Sequence, residues 1–279
     1  LSNNKNVVEI EEVIISTNTL TFEEYVELRV LALVLWTTSV SIAFEPILKL
    51  LREKNMDVFE LFYRSLKKIK NSSQQIQQII NSYKQETQSE LWDSAEDLET
   101  HFNEKKNYDK LLSGEAGTNL IQTHQALILE KCMDEWTEYI LDITKEILQE
   151  NHSFTDKEFT DVSNYCRGLS HNILGKNRFN TNPTYQFSHD ITSWLKDNND
   201  LGLSTFYLIT SSKIEFKISE EQFKVVEDKI KIFGSSSIGM AQVIKRIPRK
   251  MLCRIPIELN KEQQFVNIQN DWQRSLSNQ

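Results

Sequence analysis

A chain of 279 residues is long enough for roughly two domains of ~150 residues and for a substantial buried core. Only 7 glycines and 4 prolines punctuate it, far below the average of about 12% for the two together, which excludes a turn-rich all-β architecture. No glycine precedes Gly114, so no phosphate-cradling glycine loop lies upstream of it. The formal charge of −8 and a pI near 5.3 argue against capture of nucleic acid through its backbone.

Residues 7–16 (VVEIEEVIIS) are rich in β-branched side chains with rough alternation and read as a strand. Thr21 and Glu24 then form a capping box that starts a helix. Its apolar residues Tyr25, Leu28, Leu31, Ala32, Leu35 and Trp36 recur at three and four and thicken into a nearly continuous run, as in a helix surrounded by protein. The uncharged run 30–44 is 15 residues long, short of the ~20 needed to cross a bilayer, and reads as a core helix; no membrane span is expected. Pro46 opens a second helix, and Asp57 caps a third striped by Val58, Phe59, Phe62, Leu66 and Ile69.

From 71 to 113 the composition turns to Gln, Ser, Glu and Asn with thin apolar stripes, the pattern of amphipathic surface helices. The acids between Glu86 and Glu104 read as a solvated helix face. After Gly114 and Gly117 a single long helix is expected over 118–149, and a capping box at Thr155 and Glu158 begins the next, running toward Ile173. A polar, asparagine-rich loop follows at 176–183. Beyond it, 185–187 reads as a short strand, 189–196 as a short helix and 206–218 as one or two strands. A capping box at Ser219 and Gln222 starts a helix that Gly234 ends. The fold class is therefore mainly α, with a small α+β element near the C-terminus and one N-terminal strand. The domains read as 1–20, a strand and linker from an upstream domain; 21–175, helical; 183–258, small α+β; and 259–279, a polar tail. No basic segment followed by an apolar stretch stands at the start, and the chain opens on Leu1 rather than Met, which suggests a fragment.

Few motifs carry chemistry. Gly234-Ser-Ser-Ser-Ile-Gly239 has the glycine spacing of a phosphate loop, but Met240 and Ala241 stand where the lysine and hydroxyl belong, so it reads as a helix stop and a flexible turn. Ser65-Leu-Lys-Lys68 has the serine and lysine spacing of penicillin-interactive enzymes but sits within a helix, without the supporting motifs. Cys132, Cys166 and Cys253 draw neither a disulfide framework nor a paired metal site, and Cys166 with His171 lacks two further ligands. Reduced thiols in a cytoplasmic protein are expected. Lys245, Arg246, Arg249, Lys250 and Arg254 form a basic cluster with no acid from 241 to 257, suited to an internal acidic face or an anionic ligand. His189 and Asp190, beside Trp194, either line a pocket or cap a helix.

The segment 7–66, with EEVIISTNTLTFEEY at 11–25 followed by the apolar helix, resembles the stretch after the catalytic barrel in cobalamin-binding-domain radical S-adenosylmethionine proteins. YQFSHDITSWL at 185–195 looks like a second segment of that C-terminal region, and 206–234 is also similar. The family's CxxxCxxC cluster motif is absent. The resemblance thus implies a C-terminal accessory region that binds no cofactor itself. The resemblance implies that its parent enzyme uses a 4Fe-4S cluster and S-adenosylmethionine, held by an upstream barrel that is this region's partner, together with a cobalamin-binding domain for cobalamin. No catalytic residue transfers. The candidates to face an unknown small-molecule substrate are Tyr185, His189, Asp190, Arg249 and Lys250. The alternative is a free-standing helical protein-interaction module without catalysis.

Overall fold

The structure is a computed structural model that describes residues 7–39, 41–151, 154–175 and 182–259; the polar tail beyond 259 and most of the asparagine-rich loop lie outside the described residues. The helical body runs α1 (Phe22–Ser39), α2 (Glu45–Glu53), α3 (Val58–Lys67), α4 (Gln74–Ser89), α5 (Ala95–Asn103), α6 (Lys105–Ser113), α7 (Leu120–Lys131), α8 (Met133–Glu150) and α9 (Asp156–Leu169). The α+β part follows as β1 (Thr184–His189), α10 (Ile191–Lys196), β2 (Tyr207–Lys217), α11 (Glu220–Phe233), α12 (Ser237–Arg246) and β3 (Ile255–Glu258). The mainly α architecture with a small β element is thus the observed one.

Local signals set the helix starts. Thr21 N donates to Glu24 Oε2 at 2.8 Å while Glu24 N donates back to Thr21 Oγ1 at 3.2 Å, and the same reciprocal box opens α9 at Thr155 and α11 at Ser219. Asp57 accepts from Phe59 N to start α3. α1 packs on α3, α4 and α7 with Val30, Leu33 and Val34 fully buried. Leu28 and Trp36, read from sequence as part of its surrounded face, are instead on its open side, 51% and 42% exposed. No single helix among the described residues is long and apolar enough to cross a membrane.

Four expectations are corrected. Residues 7–16 form no strand among the described residues, because nothing pairs with them: Val7, Val13 and Ile14 are exposed, and the one bridge nearby joins Thr17 to Leu20. The single helix over 118–149 is two, broken at Cys132 (φ −145°, ψ 31°). The break is held by a distant side chain: Met133 N donates to Asn172 Oδ1 at 2.6 Å, so α8 starts on a tertiary cap. The turn after Gly234 is the start of α12, capped by Ser236. The helix expected to run to Ile173 ends at Leu169.

The sheet is antiparallel with order β1-β2-β3. β3, unread in the sequence, contains Pro256 opposite Phe216, which is tolerated because it is an edge strand. Phe187 and Phe216 point inward against Tyr165 of α9, with ring centroids 5.9 and 5.3 Å away. A continuous hydrophobic cluster joins the helical body and the sheet.

Candidate functional site

The helical body and the α+β part meet along a cleft of about 550 Å³. One wall is α8, whose polar side presents Asp134, Glu135, Glu138 and Asp142 while Trp136 and Ile140 face the core. The start of α4, with Ser72 and Ser73, forms a second wall. Arg167 and Ser170 at the end of α9, Tyr185 on β1 and Arg254 before β3 close the third.

The two arginines are held in place by the protein. Arg167 grips Glu138 through both oxygens, Nε to Oε1 at 2.6 Å and Nη2 to Oε2 at 2.8 Å, and donates to Asn164 Oδ1 at 3.2 Å. Arg254 caps the end of α9: its backbone N–H donates to Leu169 O at 3.0 Å, and Nη1 donates to Ser170 O and, at 3.4 Å, to Gly168 O. A guanidinium there satisfies orphan carbonyls and sits at the negative end of the helix dipole. Its Nη2 also lies 3.1 Å from His171 Nδ1. Partial burial pushes the Arg254 pKa below its usual value, opposed by the nearby Asp134.

The carboxylates of α8 respond in the opposite direction. Desolvation by the neighbouring cleft wall raises the Asp134 pKa, with Arg254 pulling it down. Asp142 is raised by desolvation and by repulsion from Glu138. Asp134, Glu135 and Asp142 have no hydrogen-bond or ion-pair partner among the described residues, so the cleft holds one guanidinium without a bonded carboxylate and three carboxylates without a bonded cation. Tyr139 is anchored behind them by donating to Ser65 O, and burial pushes its phenol pKa up. Such a cleft suits a polar ligand carrying both an anionic and a cationic group, with Tyr185 as its aromatic edge.

The five sequence candidates do not converge. Tyr185 lines the cleft. His189 is buried, and its partner is Asp161 of α9 rather than Asp190: Asp161 Oδ2 lies 2.8 Å from His189 Nδ1 and accepts from the backbone N–H of Ser188 at 2.8 Å and of His189 at 2.9 Å. This clamp ties β1 to α9, and burial raises the Asp161 pKa against the pull of His189. Asp190 caps α10, accepting from Ser193 N at 2.9 Å and Ser193 Oγ at 2.8 Å. Arg249 lines a separate cavity, and Lys250 is exposed, contributing its carbonyl to Gln222. The basic cluster is likewise dispersed: Arg246 stacks on Phe233 at 4.6 Å, and Arg254 alone reaches the cleft. Asp134, Asp142 and Arg167 are the cleft residues that the sequence did not point to, whereas Arg254 belongs to the basic cluster read there.

The cysteines do not fit a cluster or metal site. All three are buried, at the α7 to α8 break, on α9 and before β3. Burial holds each thiol protonated, raising Cys132 to about 12, Cys253 to about 11 and Cys166 further still. No three His, Cys, Asp or Glu side chains converge on a metal position among the described residues. Comparison with protein-family models, with curated proteins and with solved structures finds no match for this chain.

Proposed function

We propose that the chain is the accessory region of a cobalamin-type radical S-adenosylmethionine enzyme, packing on a catalytic barrel supplied by another part of that protein and closing the substrate side of its site. The observation that carries the closing role is the cleft of about 550 Å³ between the helical body and the sheet, where Asp134, Glu135 and Asp142 have no bonded cation among the described residues. The resemblance of 7–66 and 185–195 supports the family, and the exposed Val7, Val13 and Ile14 supply apolar surface for the barrel to cover. In this reading the cofactors belong to the barrel. The part played by this chain is to bind and orient a polar substrate through Tyr185, Arg254 and the α8 carboxylates and to exclude water from a reactive intermediate. A cytoplasmic location belongs to the same reading.

The test is the complete reading frame that encodes the chain. An in-frame CxxxCxxC motif upstream, with a purified product that binds a 4Fe-4S cluster after anaerobic reconstitution, is the expected result. A frame without such a motif, or a product that binds no iron, overturns the proposal and leaves the helical interaction module.

A further inference from the structure

A second cavity, of about 300 Å³, opens between the end of α1, α7, α12 and the turn that leads to β3. Its inner surface is apolar, from Leu129, Ile247 and Leu252, and Trp36 adds a broad aromatic wall that is 42% exposed. Lys245 and Arg249 stand at this cavity, and neither has a carboxylate partner among the described residues. No Asp or Glu lines it among the described residues, although the chain as a whole carries a charge of −8. Gln125 adds a third feature. It lines the cavity at only 7% exposure, and its single hydrogen bond is a 3.5 Å contact from Nε2 to Trp36 O, which leaves Oε1 without a partner among the described residues.

The Gln125 amide oxygen is an acceptor available to a donor group that enters the cavity. Two cations kept apart from carboxylates on an acidic protein focus a positive potential on one opening. An apolar cavity with a few convergent polar groups is the usual form of a small-molecule site. We propose that this cavity binds a small organic anion with a planar apolar body, of which an aryl carboxylate is the simplest form. The ring packs on Trp36 and the aliphatic wall, the carboxylate pairs with Arg249 and Lys245, and a ring substituent that donates a hydrogen bond meets Gln125 Oε1.

The test is isothermal titration of the 279-residue chain with 1-naphthoate and with its neutral analogue 1-naphthalenemethanol. Saturable one-to-one binding of naphthoate is expected, with the alcohol at least tenfold weaker. Arg249→Gln is expected to weaken naphthoate binding at least fivefold, and Trp36→Leu to weaken both compounds. Lys245→Gln reads the same charge contribution should Arg249→Gln disturb folding, and far-UV circular dichroism checks each variant. Absence of saturable binding, equal affinity for acid and alcohol, or wild-type affinity in the folded charge variants overturns the proposal.

Discussion

Gly168 sits where α9 meets the sheet, and replacing it with alanine probes how the cleft is assembled. A Cβ added there would lie 2.5 Å from three ring carbons of Phe216, when comfortable carbon contacts are about 3.5–4.0 Å, so the ring or the helix must retreat by about 1 Å. The ring is held: Phe216 is fully buried, with Tyr165 at 5.3 Å, Tyr185 at 6.1 Å and Phe187 at 6.3 Å between ring centroids. Overpacking of this kind costs about 1–3 kcal/mol, and the gain of up to about 1 kcal/mol from replacing a helical glycine offsets part of it. Gly168→Ala is therefore expected to lose about 1–2 kcal/mol in urea unfolding with an unchanged m-value. In a Phe216→Leu background the same substitution is expected to be close to neutral, a coupling of about 1–2 kcal/mol between contacting residues. A Gly168→Ala variant as stable as the parent, or a penalty that persists without the phenyl ring, refutes the close approach of α9 to β2.

Asn172→Ala removes the tertiary cap of Met133 N and is expected to cost about 1 kcal/mol, in the range of other lost caps, with fraying at the α7 to α8 break visible as faster amide exchange; unchanged exchange there contradicts this account of the break. Asp134 has a raised pKa in the folded state, so its contribution is most favourable below the unfolded-state pKa of about 3.9 and is lost as the pH rises through the folded value. Asp134→Asn is accordingly expected to raise the urea midpoint at pH 7 and leave it nearly unchanged at pH 3; a lowered midpoint at pH 7 contradicts the direction of the shift.

Much of the helical body was legible because its signals are local. The boxes at Thr21, Thr155 and Ser219 place donor and acceptor three residues apart, and each forms both hydrogen bonds. Where the deciding partner is distant, the sequence was silent. Nothing near Cys132 breaks a helix; Asn172, on the connection from α9 to β1, does so. The alternation of 7–16 predicts a strand, but a strand exists only with a neighbour, and the described residues offer none. The candidate site shows the same division. Asp190 caps a helix within three residues, as its position allows, whereas the pairing of His189 with Asp161 spans 28 residues. The basic cluster is contiguous in sequence, yet helix α12 and the turn after it send Arg249 and Arg254 to different cavities.

The central claim is that the cleft faces a catalytic barrel, and carboxyl footprinting of the full protein encoded by the reading frame tests it most directly. Within this chain the cleft acids Asp134, Glu135 and Asp142 are exposed, as are Asp93, Glu96 and Glu99 around α5. Carbodiimide labelling with glycine ethyl ester is predicted to modify the cleft acids at least fivefold more slowly than those around α5. Equal rates for the two sets, or protection of the α5 acids alone, would contradict the account.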